Sequence, residues 1–179
     1  GSPESFDVAR EAVFPRARAD SPEAGFDSND ARHLAGVLTR RGFVGNRIAI
    51  CAPHGATSTH IITLPARDSG APVATIARAE LARVRRTAPN SFEVAAWYMP
   101  TRGRTEQGMA VACDRQTIDD RLSHLEHAGL TTLAIDLEET ALARACAEEL
   151  IDCENAISAI IRVGWNASLG VLTLGDSVV

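Results

Sequence analysis

The 179-residue chain contains no lysine; all eighteen of its basic residues are arginine. That absence excludes, within this chain, any chemistry that needs a lysine amine, whether a Schiff base or the phosphate-gripping lysine of a P-loop. Aromatic residues are scarce, at 4%, so the core has to be built from Ala, Val, Leu and Ile, and an apolar content of 45% is ample for that. Basic charge is not in excess either. The formal net charge of −5 argues against a general nucleic-acid binder, which needs a basic footprint. No run of about eighteen apolar residues exists, so no segment reads as a membrane span. Nor does a charged-then-apolar N-terminal segment read as a signal peptide; Gly1-Ser2 reads as an expression scar. The four cysteines, Cys51, Cys113, Cys146 and Cys153, form no C-x-x-C pair and read as buried, reduced thiols of a cytosolic protein. The histidines form no H-E-x-x-H pattern. His124 and His127 share a helix face, where a metal pair is one reading and a solvated helix C-terminus the preferred one.

What is present is an alternation of strands and helices. The patterns predict a strand over 5–14, a loop over 15–27, and a helix over 28–41 with Leu34, Val37 and Leu38 inward and Gly42 as its stop. The apolar run 47–52 predicts a strand buried on both faces, and 59–64 a second strand ended by Pro65. A helix over 71–86 carries the stripe Val73, Ile76, Ala77, Leu81 and Val84. Its Arg78, Arg83, Arg85 and Arg86 form a solvated basic face, or one that receives an acidic partner or anionic membrane. Strands at 92–99 and 108–113 flank a long hairpin loop. Asp114 then caps a helix over 115–128 with Ile118, Leu122 and Leu125 inward, stopped by Gly129. A strand over 131–135 leads to Asp136, predicted to cap a helix to about Leu150 with Leu142 and Cys146 inward. Two β-branched runs around Arg162, Gly164 and Ser168 close the chain as a hairpin. The order argues for α/β layers, with an α+β module over roughly 57–130 set between two pieces of a larger sheet.

Taken in order, several stretches resemble the PilM family of type IV pilus assembly proteins, which are actin-like and related to FtsA. The stretches are VAREAVFPRA, LAGVLTRRGFVGNRIAICAP, HIITLPA and, most specifically, MAVACDRQTIDDRLSHLEHAGLTTLAIDLEETALARA. The resemblance implies an actin-like (ribonuclease H-like) α/β fold with an inserted α+β subdomain. Residues 1–56 would be the first part of subdomain 1A, 57–130 the inserted 1C-like subdomain, 131–156 the return to 1A, and 157–179 the first hairpin of subdomain 2A. The chain would then be partial, lacking the family's first phosphate hairpin and everything after the second.

In actin-like ATPases the second hairpin carries Asp-x-Gly-x-x-x-Thr, with a carboxylate for the Mg²⁺ shell, a glycine that leaves room for phosphates, and a hydroxyl for phosphate oxygens. On that pattern Arg162 takes the Asp position, Gly164 the Gly position and Ser168 the hydroxyl position. A guanidinium has no acceptor and cannot coordinate Mg²⁺, although it can clamp a phosphate. Hydrolysis by the family mechanism is therefore not expected. A plain structural hairpin and phosphate binding without turnover remain the alternatives. Asp136 falls near the junction that orients water in actin relatives, with an N-cap role as the simpler reading. The adjacent pairs Asp119-Asp120 and Glu138-Glu139 do not converge on one helix face and do not suggest an acid/base hydrolase.

The resemblance implies a cytoplasmic adaptor, peripheral to the inner membrane, that binds the cytoplasmic tail of a PilN-like membrane partner. The alternatives are an FtsA-like ATPase, filament-forming or not, and the cytoplasmic domain of a type II secretion platform protein. No cofactor is assigned from these residues. ATP is allowed for the full-length protein, and a homo-oligomer is left open.

Overall fold

The computed structural model describes residues 26–53, 55–100, 106–149, 156–164, 168–175 and 177–179. The strand expected over 5–14, with the VAREAVFPRA match, lies outside the described residues. In chain order the elements are α1 (Ser28–Arg40), β1 (Arg47–Cys51), β2 (Thr57–Thr63), α2 (Val73–Arg85), β3 (Phe92–Tyr98), β4 (Gln107–Asp114), α3 (Arg115–His127), β5 (Thr131–Asp136), α4 (Glu138–Ala145), β6 (Ile157–Arg162), β7 (Leu169–Leu174) and β8 (Ser177–Val178). They group into two compact units. One comprises the described residues up to Ile50 together with Ile118–Ile135; the other is Cys51–Thr117 with Asp136–Val179.

In the first unit, α1 starts on a capping box. The Asp27 carboxylate accepts from the amides of Asn29 and Asp30, and the Asp30 carboxylate accepts from the Asp27 amide. These bonds satisfy donors that a helix start otherwise leaves unpaired. Ala31 on α1 packs with Leu125 of α3 and with Leu130, and Leu34, Leu38, Ile48 and Ile50 close around them. Gly129 ends α3 at φ 79, a left-handed conformation that costs glycine nothing. The Thr131 amide donates to Asn46 (2.8 Å) and the Ala52 amide to Asp136 (2.7 Å), so β1 and β5 run side by side in the same direction. The expectation that β1 is buried on both faces is corrected. Arg47 and Ala49 are exposed, because the helices cover only the Ile48/Ile50 side.

In the second unit, β4 is the middle strand of an antiparallel sheet in the order β2-β4-β3, in register from Thr57↔Cys113 and Phe92↔Asp114. All its residues from Gly108 to Cys113 are buried. The helix α2 covers one face, where Ala77 and Leu81 pack against Ile62, Leu64, Phe92, Ala110 and Ala112. Val84, expected in that stripe, is 44% exposed. The last turn of α2 reaches the sheet through Arg85 instead, whose guanidinium lies 5.1 Å from the Phe92 ring centroid. The remaining arginines of α2 are likewise mostly engaged. Arg78 pairs with Glu93 and donates to Pro89 and Phe92 carbonyls, Arg85 pairs with Asp114, and Arg83 with Glu80. The expected basic face is therefore largely neutralised within its own unit. Asp114, expected to cap α3, is the last residue of β4 and spends its carboxylate on Arg85.

The same unit contains the C-terminal hairpin, with β6 and β7 antiparallel from Ile157↔Leu174 to Arg162↔Leu169. The short β8, unannounced by any pattern in the sequence, pairs with β7 at Thr173↔Val178. The Trp97 indole N–H donates to the Val178 carbonyl (3.2 Å), which ties β8 to the edge of the β2-β4-β3 sheet.

Of the residues 57–130 anticipated as one module, those up to Thr117 group with the second unit and those from Ile118 with the first. From Ile118 onward α3 packs with α1, because Leu125 finds its apolar partners there. The hairpin 157–179 groups with residues 51–117.

Two glycines in this unit should respond oppositely to alanine. A Cβ on Gly108 would lie 2.2 Å from Leu64 Cδ1 and 2.8 Å from the Trp97 carbonyl oxygen, whereas a Cβ on Gly170 meets nothing within 4 Å. Gly108→Ala is expected to destabilise by about 1–3 kcal/mol through overpacking. Gly170→Ala is expected to stabilise by about 0.4–1 kcal/mol by restricting the unfolded chain. Urea denaturation of the two variants checks both signs.

Candidate functional site

Two ion pairs meet where β5 passes into α4. The first centres on Asp136. Its carboxylate accepts from the Leu137 amide (2.8 Å) and from the Thr140 hydroxyl (2.7 Å), and it pairs with Arg144. Residues 136, 140 and 144 follow one another at helical spacing, so one face of α4 supplies both side-chain partners. Burial pushes the Asp136 carboxyl up, but the hydrogen bonds from Thr140, Arg144 and Leu137, together with the Arg144 charge, outweigh it and hold the pKa below the ordinary value. The predicted N-cap role is corrected. Leu137 is the N-cap residue, and Asp136 stands one position earlier, where its side chain reaches the hydroxyl of Thr140 rather than the free amides of the first turn.

The second pair joins the hairpin to this junction. Arg162, the last residue of β6, pairs with Glu138, the first residue of α4, at 2.5 Å. Among the candidate site residues, Arg162 of the hairpin and Asp136 of the strand-to-helix junction are therefore brought to the same helix start, each matched by its own opposite charge. Gly164 lies half-buried two residues beyond Arg162, and Ser168 is exposed just ahead of β7. Residues 165–167 between them lie outside the described residues. The guanidinium that would clamp a phosphate is engaged by a carboxylate, and a ligand would have to displace Glu138.

The last residue of β1 faces the same acids. Burial pushes the Cys51 thiol up, and the charges of Asp136, Glu138 and Glu139 push it further, against the opposing charge of Arg144. The thiol stays protonated at neutral pH and is a poor nucleophile. His124 and His127 have local partners: His124 Nδ1 is hydrogen-bonded to the Ser28 hydroxyl (2.9 Å), and His127 Nδ1 to the Ser123 carbonyl (2.6 Å).

Next to the junction opens a cleft of about 160 Å³, which sequence reasoning missed. Thr57, Thr59, Met109, Val111 and Trp97 form one wall, on the face of the β2-β4-β3 sheet opposite α2. Gly170, Val171, Leu172, Val178 and Val179 form the other wall, and Leu137, Glu139 and Thr140 of the α4 start close the end. Among the described residues no arginine lines it. Its volume is below the roughly 300–1,000 Å³ of small-molecule sites, and it is the size of one aliphatic side chain or a benzene. Only the alternation of β4 hinted at its floor; the opposite wall comes from residues some sixty positions away in the chain, for which no local pattern exists.

No family model matches the chain, and no curated protein matches it by sequence. Solved structures do. A chain of the PilM–PilN type IV pilus biogenesis complex superposes with a TM-score of 0.69 at 17% identity, over 83% of this chain and 45% of that one. The cytoplasmic domain of EpsL, an inner-membrane component of the type II secretion system of Vibrio cholerae, gives a TM-score of 0.44 at 13% identity, over 65% of this chain and 44% of that one. The chain thus spans less than half the length of either neighbour. The first likeness shows the fold: a mixed α/β architecture shared with that chain.

The Asp136 assembly makes a pH prediction. Because its native pKa is lowered, its contribution is full above the unfolded value of about 3.9 and is lost as pH falls through the lower native value. Asp136→Asn is expected to lose about 1 kcal/mol at pH 7, a size set by a partly exposed ion pair. The difference between the two proteins should close only at strongly acidic pH. Denaturation midpoints of both from pH 7 to pH 2 check this.

Proposed function

We propose that this chain is part of a PilM-like adaptor that binds the cytoplasmic tail of a PilN-like inner-membrane protein and does not hydrolyse nucleotide. The observation that carries the proposal is the shared fold with a chain of a PilM–PilN complex, extending over 83% of the residues. The ordered sequence resemblance from Leu34 to Ala145 supports the same reading. The protein would then work on the cytoplasmic side of the membrane; no described helix is long and apolar enough to cross one. In this reading residues 51–117 hold the inserted 1C-like module and 157–179 open subdomain 2A.

The chemistry of the hairpin supports an adaptor over an ATPase. Metal-assisted phosphoryl transfer needs a carboxylate where Arg162 stands, and Arg162 is neutralised by Glu138. Gly164, Ser168 and Asp136 then act as parts of the scaffold. The cleft beside α4 is the docking place we assign to the tail, because it is open at the surface, sized for a side chain, and offers both apolar lining (Met109, Val111, Leu172) and polar lining (Thr57, Thr59, Glu139).

The test uses the full-length protein and a synthetic peptide of the cytoplasmic tail of a PilN-like protein of the same organism. Calorimetry is expected to show binding of the tail and no Mg²⁺-dependent turnover of ATP. Absence of tail binding overturns the adaptor reading. Magnesium-dependent ATP binding with turnover establishes the ATPase instead.

A further inference from the structure

No acidic residue occurs between Asp30 and Asp68, the longest such gap in the chain. Within it α1 passes into β1 through RRGFVGNR, residues 40–47. The turn is pinned on both sides. The Gly42 amide donates to the Thr39 carbonyl and the Phe43 amide to the Leu38 carbonyl (both 3.0 Å), the paired bonds of a Schellman stop, with Gly42 left-handed at φ 75. Beyond the turn, the Asn46 side-chain amide donates to the Gly129 carbonyl (3.3 Å), and the Asn46 backbone carbonyl accepts from the Thr131 amide (2.8 Å). Between these anchors Val44 is 99% exposed, more than any other large apolar residue among those described. A Cβ on the neighbouring Gly45 would meet nothing within 4 Å, so no wall rises beside the tip. Arg40, Arg41 and Arg47 flank it and are exposed. Arg40 and Arg47 have no ion pair among the described residues, unlike Arg78, Arg83 and Arg85 of α2, each of which meets a carboxylate. The last turn of α3, next to Gly129, sets one acid, Glu126, against these three cations.

We propose that this tip is a contact point for an anionic bilayer surface. Val44 enters the headgroup layer, and Arg40 and Arg47 bind lipid phosphates beside it. A guanidinium grips a phosphate through two parallel N–H bonds. Each arginine at a negatively charged bilayer is worth roughly a fivefold gain in partitioning. The shape selects a bilayer over an acidic peptide: a peptide is held in a groove, whereas a flat, fluid surface accepts a protruding side chain with cations around it. The contact goes beyond the adaptor reading and does not depend on it, since the cleft assigned to the tail contains none of these residues.

The test is co-sedimentation of the full-length protein with vesicles of phosphatidylcholine alone and with vesicles of equal parts phosphatidylcholine and phosphatidylglycerol. The wild type is expected to bind the anionic vesicles more tightly than the neutral ones. Arg40→Gln combined with Arg47→Gln is expected to weaken binding to the anionic vesicles at least tenfold, Val44→Asp to do the same, and Val44→Leu to keep it. Unchanged binding in the double variant or in Val44→Asp overturns the proposal, and so does wild-type binding that is equal on both vesicles or absent. Calorimetry with the tail of the PilN-like protein separates this inference from the adaptor reading. The variants are expected to bind the tail as the wild type does. Loss of tail binding in them makes the tip a protein contact and overturns bilayer docking. A wild type that binds anionic vesicles and no tail overturns the adaptor reading alone.

Discussion

A central strand that is apolar on both faces has to be covered twice. β4 runs Gly-Met-Ala-Val-Ala-Cys with every one of these residues buried, and the rest of the second unit follows from that requirement. One cover is α2, whose small Ala77 lets the helix approach while Leu81 fills the space beside Phe92. The other cover is assembled from the start of α4 and the strands β7 and β8, joined through the bond from Trp97 to Val178. Helix on sheet packs closely. The second cover is made of short, separate pieces that do not tile the sheet, and the cleft over Met109 and Val111 is the space they leave.

A chain whose cations are all arginine also handles its charges in a particular way. Each guanidinium offers several donors in a rigid plane and a flat face for aromatic rings. Arg78 uses both: it binds Glu93 and two carbonyls while lying 5.7 Å from the Phe92 ring centroid. Arg85 does the same with Asp114 and Ser58. These residues look like an exposed basic stripe in the sequence and act as braces between α2 and the sheet edges.

Arg162 is a brace of the same kind: its pair with Glu138 fastens the end of β6 to the start of α4. Asp136, two residues before Glu138 at the end of β5, fastens the same helix through Thr140 and Arg144. Together the two ion pairs hold a strand, a helix and a hairpin at one junction.

The sequence by itself determined the elements and much of their ends. Periodicity marked α1, α2 and α3, Gly129 marked a helix stop, and the Phe92 and Met109 runs marked the two strands of a hairpin, because these signals are carried by neighbouring residues. Even the Asp136–Thr140–Arg144 ladder was written in its spacing. Only the tertiary structure decided that α3 packs with α1, that β1 is covered on one face, and that Asp136 precedes the helix cap. It also decided that Glu138 meets Arg162, that Trp97 holds β8, and that Gly170 lines a cleft. Each of these depends on which surfaces meet across long separations in the chain, where packing energy outweighs local preference and leaves no local trace.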